Sequence, residues 1–124
     1  MKKLLIIDDE PGIVEEVRSF FEEEGYETYT ADTAKMGMEL IEKFKPDLVL
    51  LDMKLPDMSG LAVLRMCKTS YPTIKVIVNT GYVDQHLIDE AERLGRDAFL
   101  QKPFDLTRLK DEIDQLLTPP PSAA

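Results

Sequence analysis

Cysteine and histidine are almost absent from this sequence of 124 residues, which contains one of each. The single cysteine, Cys67, excludes an internal disulfide bond and fits a reducing, cytoplasmic setting. The single histidine, His86, falls in a helical pattern without a second histidine, so we interpret it as a surface residue. A metal site in this chain would therefore have to use oxygen ligands and not imidazole or thiolate.

Positive charge is also scarce, because 15 Lys and Arg residues face 24 Asp and Glu residues, for a net charge of −9. An acidic surface repels phosphate backbones and anionic lipids, so neither a nucleic acid nor a membrane is expected as a direct partner. No apolar run approaches membrane-spanning length, and the apolar run after Lys3 is too short for a signal peptide. A charged content of 31% is that of an ordinary globular domain.

The most informative stretch runs from Asp47 to Pro56. Four consecutive apolar residues, Leu48 to Leu51, predict a strand buried on both faces, which belongs in the middle of a parallel sheet. The strand ends on a carboxylate, Asp52. Because ligands of open α/β sheets bind at the carboxyl ends of the strands, Asp52 is the first candidate for chemistry.

The same alternation continues along the chain and predicts an α/β fold, a parallel sheet with helices on both faces. We expect one domain over residues 1–118 and a disordered, proline-rich tail over 119–124. Strands are predicted over 4–7, 26–30, 48–52, 74–78 and 98–100. Helices are predicted from Pro11 to a stop at Gly25, over 33–44, 61–69 and 83–94, and from Leu106 to Leu117.

Polar side chains follow four of the five predicted strands. They are Asp8, Asp9, Asp52, Thr80 and Lys102. Carboxylates without His or Cys suit Mg²⁺, which binds through one or two carboxylates, waters and a phosphate oxygen. A lysine and a hydroxyl beside it would hold further phosphoryl oxygens, and a carboxylate can accept a phosphoryl group as an acyl phosphate.

Each of these residues has an ordinary structural interpretation when taken alone. Adjacent acids favour the start of a helix, Thr80 could cap the next helix, and Lys102 could lie on the surface. What favours a shared site is that all of them fall at the carboxyl ends of strands, where such a sheet binds ligands.

Two longer motifs, DLVLLDMKLPDMSG at 47–60 and QKPFD at 101–105, extend this pattern. With Asp8-Asp9 and Thr80 in the same order, the chain resembles the receiver domain of two-component response regulators over residues 2 to about 117. It also resembles stand-alone receivers, particularly sporulation-type phosphorelay intermediates. The resemblance implies a flavodoxin-like, doubly wound (βα)5 fold with strand order 2-1-3-4-5.

The resemblance also implies roles for individual residues. Asp52 would take a phosphoryl group from a phosphohistidine, and Thr80 and Lys102 would hold that group. Mg²⁺, for which Mn²⁺ could substitute, would be bound by Asp9, Asp52 and the backbone carbonyl of Lys54, with Asp8 acting through water. Thr80 and Phe99 would form a conformational switch, and Lys54 and Tyr82 would tune the lifetime of the phosphoryl group.

Four residues depart from the family's usual pattern. Phe99 replaces the commoner Tyr, Gly81 replaces Ala, Asn79 is polar where the strand is normally apolar, and Arg96 replaces a frequent Ala. We expect these departures to affect the switch and to leave the phosphoacceptor chemistry unaffected.

Three functions remain open from the sequence. The first is a phosphoacceptor module that assists its own phosphorylation and dephosphorylation but is not an enzyme, with a sensor histidine kinase and a histidine phosphotransfer protein as partners. The second is a receiver cut from a longer regulator with an output domain. The third is a Mg²⁺-dependent phosphatase of the haloacid dehalogenase type, disfavoured because the second Asp of its Asp-x-Asp motif would fall at Lys54.

Overall fold

Strands and helices alternate throughout the computed structural model, which describes residues 1–81 and 84–118. In this part of the chain the strands are β1 (Lys3–Ile7), β2 (Glu27–Ala31), β3 (Leu48–Asp52), β4 (Lys75–Thr80) and β5 (Ala98–Gln101). The helices are α1 (Pro11–Glu23), α2 (Ala34–Phe44), α3 (Gly60–Ser70), α4 (Gln85–Arg93) and α5 (Leu106–Leu117). The predicted α/β alternation is confirmed.

All strands form one parallel sheet in the order β2-β1-β3-β4-β5, as the resemblance implied. The central strand β3 is buried along its whole length, which explains its uninterrupted apolar run. Because the chain order reverses between β1 and β3, the crevice at their carboxyl ends is where this topology binds ligands.

Alternating side chains divide the interior into two cores. Even-numbered residues of β3, Leu48 and Leu50, pack with Ile77 of β4 against α1 and α5. Odd-numbered residues, Val49 and Leu51, pack against α2, α3 and α4. The parity of a residue at a strand end therefore decides which helical layer its side chain joins.

Strands β2 and β4 begin one residue later than the sequence pattern predicts. In each case the backbone N–H of the predicted first residue donates to a local turn and not to the sheet. The N–H of Tyr26 donates to the carbonyl of Phe21 at 2.9 Å, and that of Ile74 donates to the carbonyl of Tyr71 at 3.0 Å. Strand β4 extends beyond its predicted end to Thr80.

Helix starts also differ from prediction. Helix α3 begins at Gly60 because the Ser59 hydroxyl caps it, accepting from the N–H of Leu61 at 3.2 Å. Helix α4 begins at Gln85, where Asp84 caps it, and Val83, its predicted start, lies outside the described residues. The tail over 119–124 lies outside them as well.

No helix in the described ranges is both long enough and apolar enough to cross a membrane.

Candidate functional site

The carboxyl ends of β1, β3 and β5 bring three charged side chains to one face of the sheet. Ile6 pairs with Leu50 in register, and both belong to the core beneath α1 and α5. Asp8 and Asp52 lie two residues further along their strands, so they continue the same face. Lys102 follows Leu100 of β5 in the same way. The Lys102 ammonium contacts both carboxylates directly, so the structure brings these three side chains together.

The ammonium of Lys102 lies among three carboxylates. Its Nζ is 2.8 Å from Asp8 Oδ2, 2.8 Å from Glu10 Oε1 and 3.2 Å from Asp52 Oδ2. Burial by itself would lower the pKa of Lys102, but its contacts with Asp8 and Glu10 and the charge of Asp52 outweigh burial and raise it. Lys102 is therefore a fixed positive charge at this edge of the sheet.

The carboxylate of Asp52 is almost enclosed, with 4% of the residue exposed. Burial raises the pKa of Asp52, the charge of Asp8 adds to that effect, and the Lys54 N–H and Lys102 oppose it. The Lys54 N–H donates to Asp52 Oδ1 at 3.2 Å, so each carboxylate oxygen has one partner that favours its ionised form.

Asp8 is the most buried acid of the group, with 1% of the residue exposed. Its Oδ1 accepts a hydrogen bond from the Glu10 N–H at 2.9 Å. Its Oδ2 forms the ion pair with Lys102 but has no hydrogen-bond partner among the described residues. A buried carboxylate oxygen that accepts no hydrogen bond is suited to a further cationic or water ligand.

A cavity of about 400 Å³ opens beside these groups. It is lined by Asp9, Glu10, Asp52, Lys54, Leu55, Pro56, Thr80, Gly81 and Lys102. The cavity therefore unites the predicted residues Asp9, Asp52, Lys54, Thr80 and Lys102 around one space, large enough for a phosphoryl group and its hydration.

Thr80 and Phe99 belong to the other face of the sheet. Thr80 is buried at the end of β4 and continues the row of Val76 and Val78. Phe99, half-buried on β5, pairs in register with Val78 and packs against the core beneath α2, α3 and α4. The Arg96 guanidinium carbon lies 5.8 Å from the Phe99 ring centroid. Tyr82 lies outside the described residues.

The oxygen atoms suited to a divalent cation come from a slightly different set than the sequence indicated. One carboxylate oxygen each from Asp8, Glu10 and Asp52 lie within 4.8 Å of one another. Asp9 lines the cavity but is not in that group, and the sequence assigned no role to Glu10. Oxygen ligands of this kind, including Asp8 Oδ2, which accepts no hydrogen bond among the described residues, fit a hard cation such as Mg²⁺.

Gly60 is a site residue for which the sequence motif named no role. A Cβ at this position would lie 2.3 Å from the Asp52 carbonyl oxygen, closer than any side chain can approach backbone. The Gly60 N–H donates to the Met53 carbonyl at 2.8 Å, which folds the loop after β3 back onto the strand. The Ser-Gly pair after Pro56 could have indicated this close approach.

Comparisons with known proteins agree with this geometry. The sequence model described as response regulator receiver domain matches residues 4–114. Sporulation initiation phosphotransferase F of Bacillus subtilis (strain 168) is 37% identical over 116 residues, which cover 94% of each chain. Regulatory protein AtoC of Escherichia coli (strain K12) is 31% identical over 94% of this chain, which spans 25% of AtoC.

A solved structure supports the same assignment. The receiver domain protein (CheY-like) from Methanospirillum hungatei JF-1 superposes with a TM-score of 0.91 at 35% identity, covering 93% of this chain and 92% of that one. The fold, the carboxyl-end site and these similarities agree, and the chain belongs to the response regulator receiver domain family.

Proposed function

We propose that Asp52 accepts a phosphoryl group from a phosphohistidine of a partner protein and that the chain relays or switches on that signal. The observation that supports this most directly is the pair formed by Asp52 Oδ2 and Lys102 Nζ, 3.2 Å apart, at a cavity that Thr80 also lines. A carboxylate nucleophile, a fixed cation and a hydroxyl are the groups that phosphoryl transfer to an aspartate requires.

In this transfer an Asp52 oxygen forms a bond to phosphorus while the bond from phosphorus to the imidazole nitrogen breaks. The electron pair of the broken bond stays on the nitrogen, and the product is an acyl phosphate. Lys102 compensates charge on one phosphoryl oxygen, and the Thr80 hydroxyl donates to another. The Lys54 N–H keeps Asp52 oriented, since it already donates to Oδ1 in this structure.

A Mg²⁺ ion, or Mn²⁺ in its place, would be held by Asp9, Asp52 and the backbone carbonyl of Lys54, with Asp8 acting through water. When bound, it would neutralise charge on the phosphoryl oxygens. Glu10 is the alternative ligand, because its oxygen lies in the compact acidic group with Asp8 and Asp52.

The remaining roles concern the response. Phe99 would change its packing when Thr80 moves toward the phosphoryl group, and Lys54 and Tyr82 would set the lifetime of the acyl phosphate. The partners would be a sensor histidine kinase and a histidine phosphotransfer protein in the cytoplasm, docking at the edge around Asp52 and the start of α1. Direct nucleic-acid binding is not expected of a chain with net charge −9.

Phosphorylation by a small donor tests the assignment of Asp52. Incubation with acetyl phosphate and Mg²⁺ should add one phosphoryl group, detected by intact mass after rapid quenching. Asp52→Asn should abolish the addition, because an amide is not a nucleophile for this reaction. Asp111→Asn, which alters an exposed carboxylate of α5, should label as the wild type does. Undiminished labelling of Asp52→Asn would assign the acceptor to another residue.

A further inference from the structure

Asn79 is a fully buried polar side chain without a described partner. None of the residue is exposed, and neither its Oδ1 nor its Nδ2 has a hydrogen-bond partner in the described part of the chain. A buried amide that makes no hydrogen bond destabilises the fold, so its presence inside a strand requires an explanation.

The position of Asn79 on the sheet indicates what it can reach. In register, Asn79 pairs with Asp52 on β3 and with Leu100 on β5. Neighbouring strands lie about 4.8 Å apart, and Asn79 continues the face of Ile77, which is also the face of Asp52. Of the two residues paired with Asn79, Leu100 is apolar, so the carboxylate of Asp52 is the one that can accept a hydrogen bond.

In this structure both oxygens of Asp52 already have partners. The Lys54 N–H contacts Oδ1, and the Lys102 ammonium contacts Oδ2. During phosphoryl transfer, the function proposed above requires Lys102 to contact a phosphoryl oxygen. Asp52 then loses part of the positive charge that Lys102 supplies at rest. At that stage the bond between Asp52 and phosphorus is only partly formed, so the Asp52 oxygen still carries much of its negative charge.

We propose that the Asn79 carboxamide donates a hydrogen bond to the Asp52 carboxylate in the transition state of phosphoryl transfer, while Lys102 contacts the phosphoryl group. This inference rests on the proposed function of Asp52. In hydrolysis of the acyl phosphate, water oxygen bonds to phosphorus, the bond from phosphorus to Asp52 breaks, and its electron pair stays on Asp52. The water proton leaves with the phosphate or to solvent.

The bond between Asp52 and phosphorus is partial in the transition states of both phosphorylation and hydrolysis, so a hydrogen bond to Asp52 made only there accelerates both reactions. The amide should therefore speed both the gain of a phosphoryl group from a small donor and its loss to water. A chain with this residue would exchange phosphoryl groups rapidly, at a cost in the stability of its resting fold.

The test compares the wild type with Asn79→Leu, which keeps the branched shape of the side chain but has no polar atom. Asn79→Val is a second apolar variant, suited to a strand, in case the first one does not fold. Ile77→Val is the matched control, because it alters packing on the same strand and face but away from Asp52. For each protein, intact mass follows phosphorylation by acetyl phosphate and its decay, calorimetry gives the Mg²⁺ affinity, and urea unfolding gives stability.

Both apolar variants at position 79 should gain and lose the phosphoryl group about tenfold more slowly or slower still, the effect of one lost hydrogen bond to a charged group. Their Mg²⁺ affinity should stay unchanged, and Asn79→Leu should be at least as stable as the wild type. Ile77→Val should exchange phosphoryl groups at the wild-type rate.

Three results would overturn the role of Asn79: wild-type rates in both apolar variants, an equal slowing in Ile77→Val, or a loss of Mg²⁺ affinity that accompanies the slowing. The first would mean that the amide serves only the resting fold, for example by holding a buried water. If the wild type gains no phosphoryl group, the proposed function itself is refuted. The role proposed for Asn79, which depends on that function, is then refuted as well.

Discussion

The side chain of Lys102 offsets the negative charges of this site. Its ammonium lies within 3.2 Å of an oxygen from each of Asp8, Glu10 and Asp52, and its side chain is 9% exposed. Without it, two nearly buried carboxylates would face each other across a medium that screens charge poorly. The lysine therefore stabilises the site at rest, and in the proposed transfer it would contact a phosphoryl oxygen.

Replacing Lys102 with Met should separate these roles. The variant should lose roughly 1.5–3 kcal/mol of unfolding free energy in EDTA, because charged groups lose a buried partner. It should bind Mg²⁺ more tightly, since the cation no longer competes with an ammonium, yet gain a phosphoryl group from acetyl phosphate more slowly. Urea unfolding, calorimetry and intact mass measure these three quantities.

Lys110→Met is the control for that variant, because Lys110 pairs with Asp114 at 2.7 Å on the surface of α5. Ion pairs near the protein surface contribute little to stability, so this change should be nearly silent in all three measurements. Weaker Mg²⁺ binding by Lys102→Met would show that the lysine supports the metal site and does not compete for it.

At the scale of elements, the loop between β3 and α3 links the strand that ends on Asp52 to the start of α2. Asp57 in this loop accepts from the backbone N–H of Ala34 at 2.8 Å and of Lys35 at 2.9 Å, so it caps the start of α2 from outside that helix. These two hydrogen bonds, that of Ala34 first, lower the pKa of Asp57. The loop that precedes Gly60 is thereby held to β3 by the Gly60 N–H and to α2 by Asp57.

The lowered pKa of Asp57 predicts how this anchor depends on pH. The unfolded chain binds a proton more readily than the native one, so the stability from this carboxylate is present above its unfolded pKa of about 3.9. It is lost as pH falls through the lowered native value. Asp57→Asn should therefore reduce the urea midpoint at neutral pH, and this deficit should shrink once the wild-type carboxyl is protonated in strong acid.

Urea titrations of wild type, Asp57→Asn and the control Asp111→Asn, at neutral pH and in strong acid, measure that difference. A deficit of the same size in both conditions would mean that the charge of Asp57 plays no part and that only its shape matters.

The elements themselves could be predicted from the sequence, but their interactions could not. Apolar runs and helix stops indicated every strand and helix, because burial on a sheet face or helix stripe dictates those patterns. The start of β2 was missed because the Tyr26 N–H is used by a turn that follows Gly25 in its left-handed conformation, φ 89°. Such a bond depends on how the chain leaves α1, which residue types alone do not determine.

The sequence also indicated which residues the structure brings to one edge of the sheet. Strand ends identified Asp8, Asp52, Thr80 and Lys102, because a parallel sheet gathers its carboxyl ends at one edge. The sequence could not indicate that Glu10 would share Lys102 with the aspartates, since that depends on side-chain reach across two strands. Asn79 was expected to affect only the switch, but the strand register shows that it lies across from Asp52.

At the scale of the whole molecule, the site lies where the two cores meet. Asp8, Asp52, Asn79 and Lys102 continue the layer of α1 and α5, whereas Thr80 and Phe99 continue the layer of α2, α3 and α4. A phosphoryl group in the cavity would contact residues of both layers. The residues of the proposed acceptor chemistry thus lie on one face of the sheet and those of the proposed switch on the other. Thr80 belongs to the switch face but lines the same cavity as Asp52.

Metal binding should stabilise this whole arrangement and can identify the ligands. Mg²⁺ at ten times its dissociation constant should add about 1.4 kcal/mol to the unfolding free energy of the wild type, since only the folded chain gathers the carboxylates. Asp9→Ala should abolish that gain if Asp9 is a direct ligand. Glu10→Ala should preserve it, because Glu10 is engaged by Lys102 at 2.8 Å in the resting structure.

Urea unfolding with Mg²⁺ and with EDTA measures the gain for each protein, and Asp111→Ala, an exposed change on α5, should behave as the wild type. The reverse pattern, a gain kept by Asp9→Ala and lost by Glu10→Ala, would transfer the ligand role to the compact group of Asp8, Glu10 and Asp52. Lys102 would then have to leave Glu10 before metal could bind, so that metal binding and release of the lysine would be a single coupled step. If Mg²⁺ does not raise the unfolding free energy of the wild type, these acids do not bind a common cation.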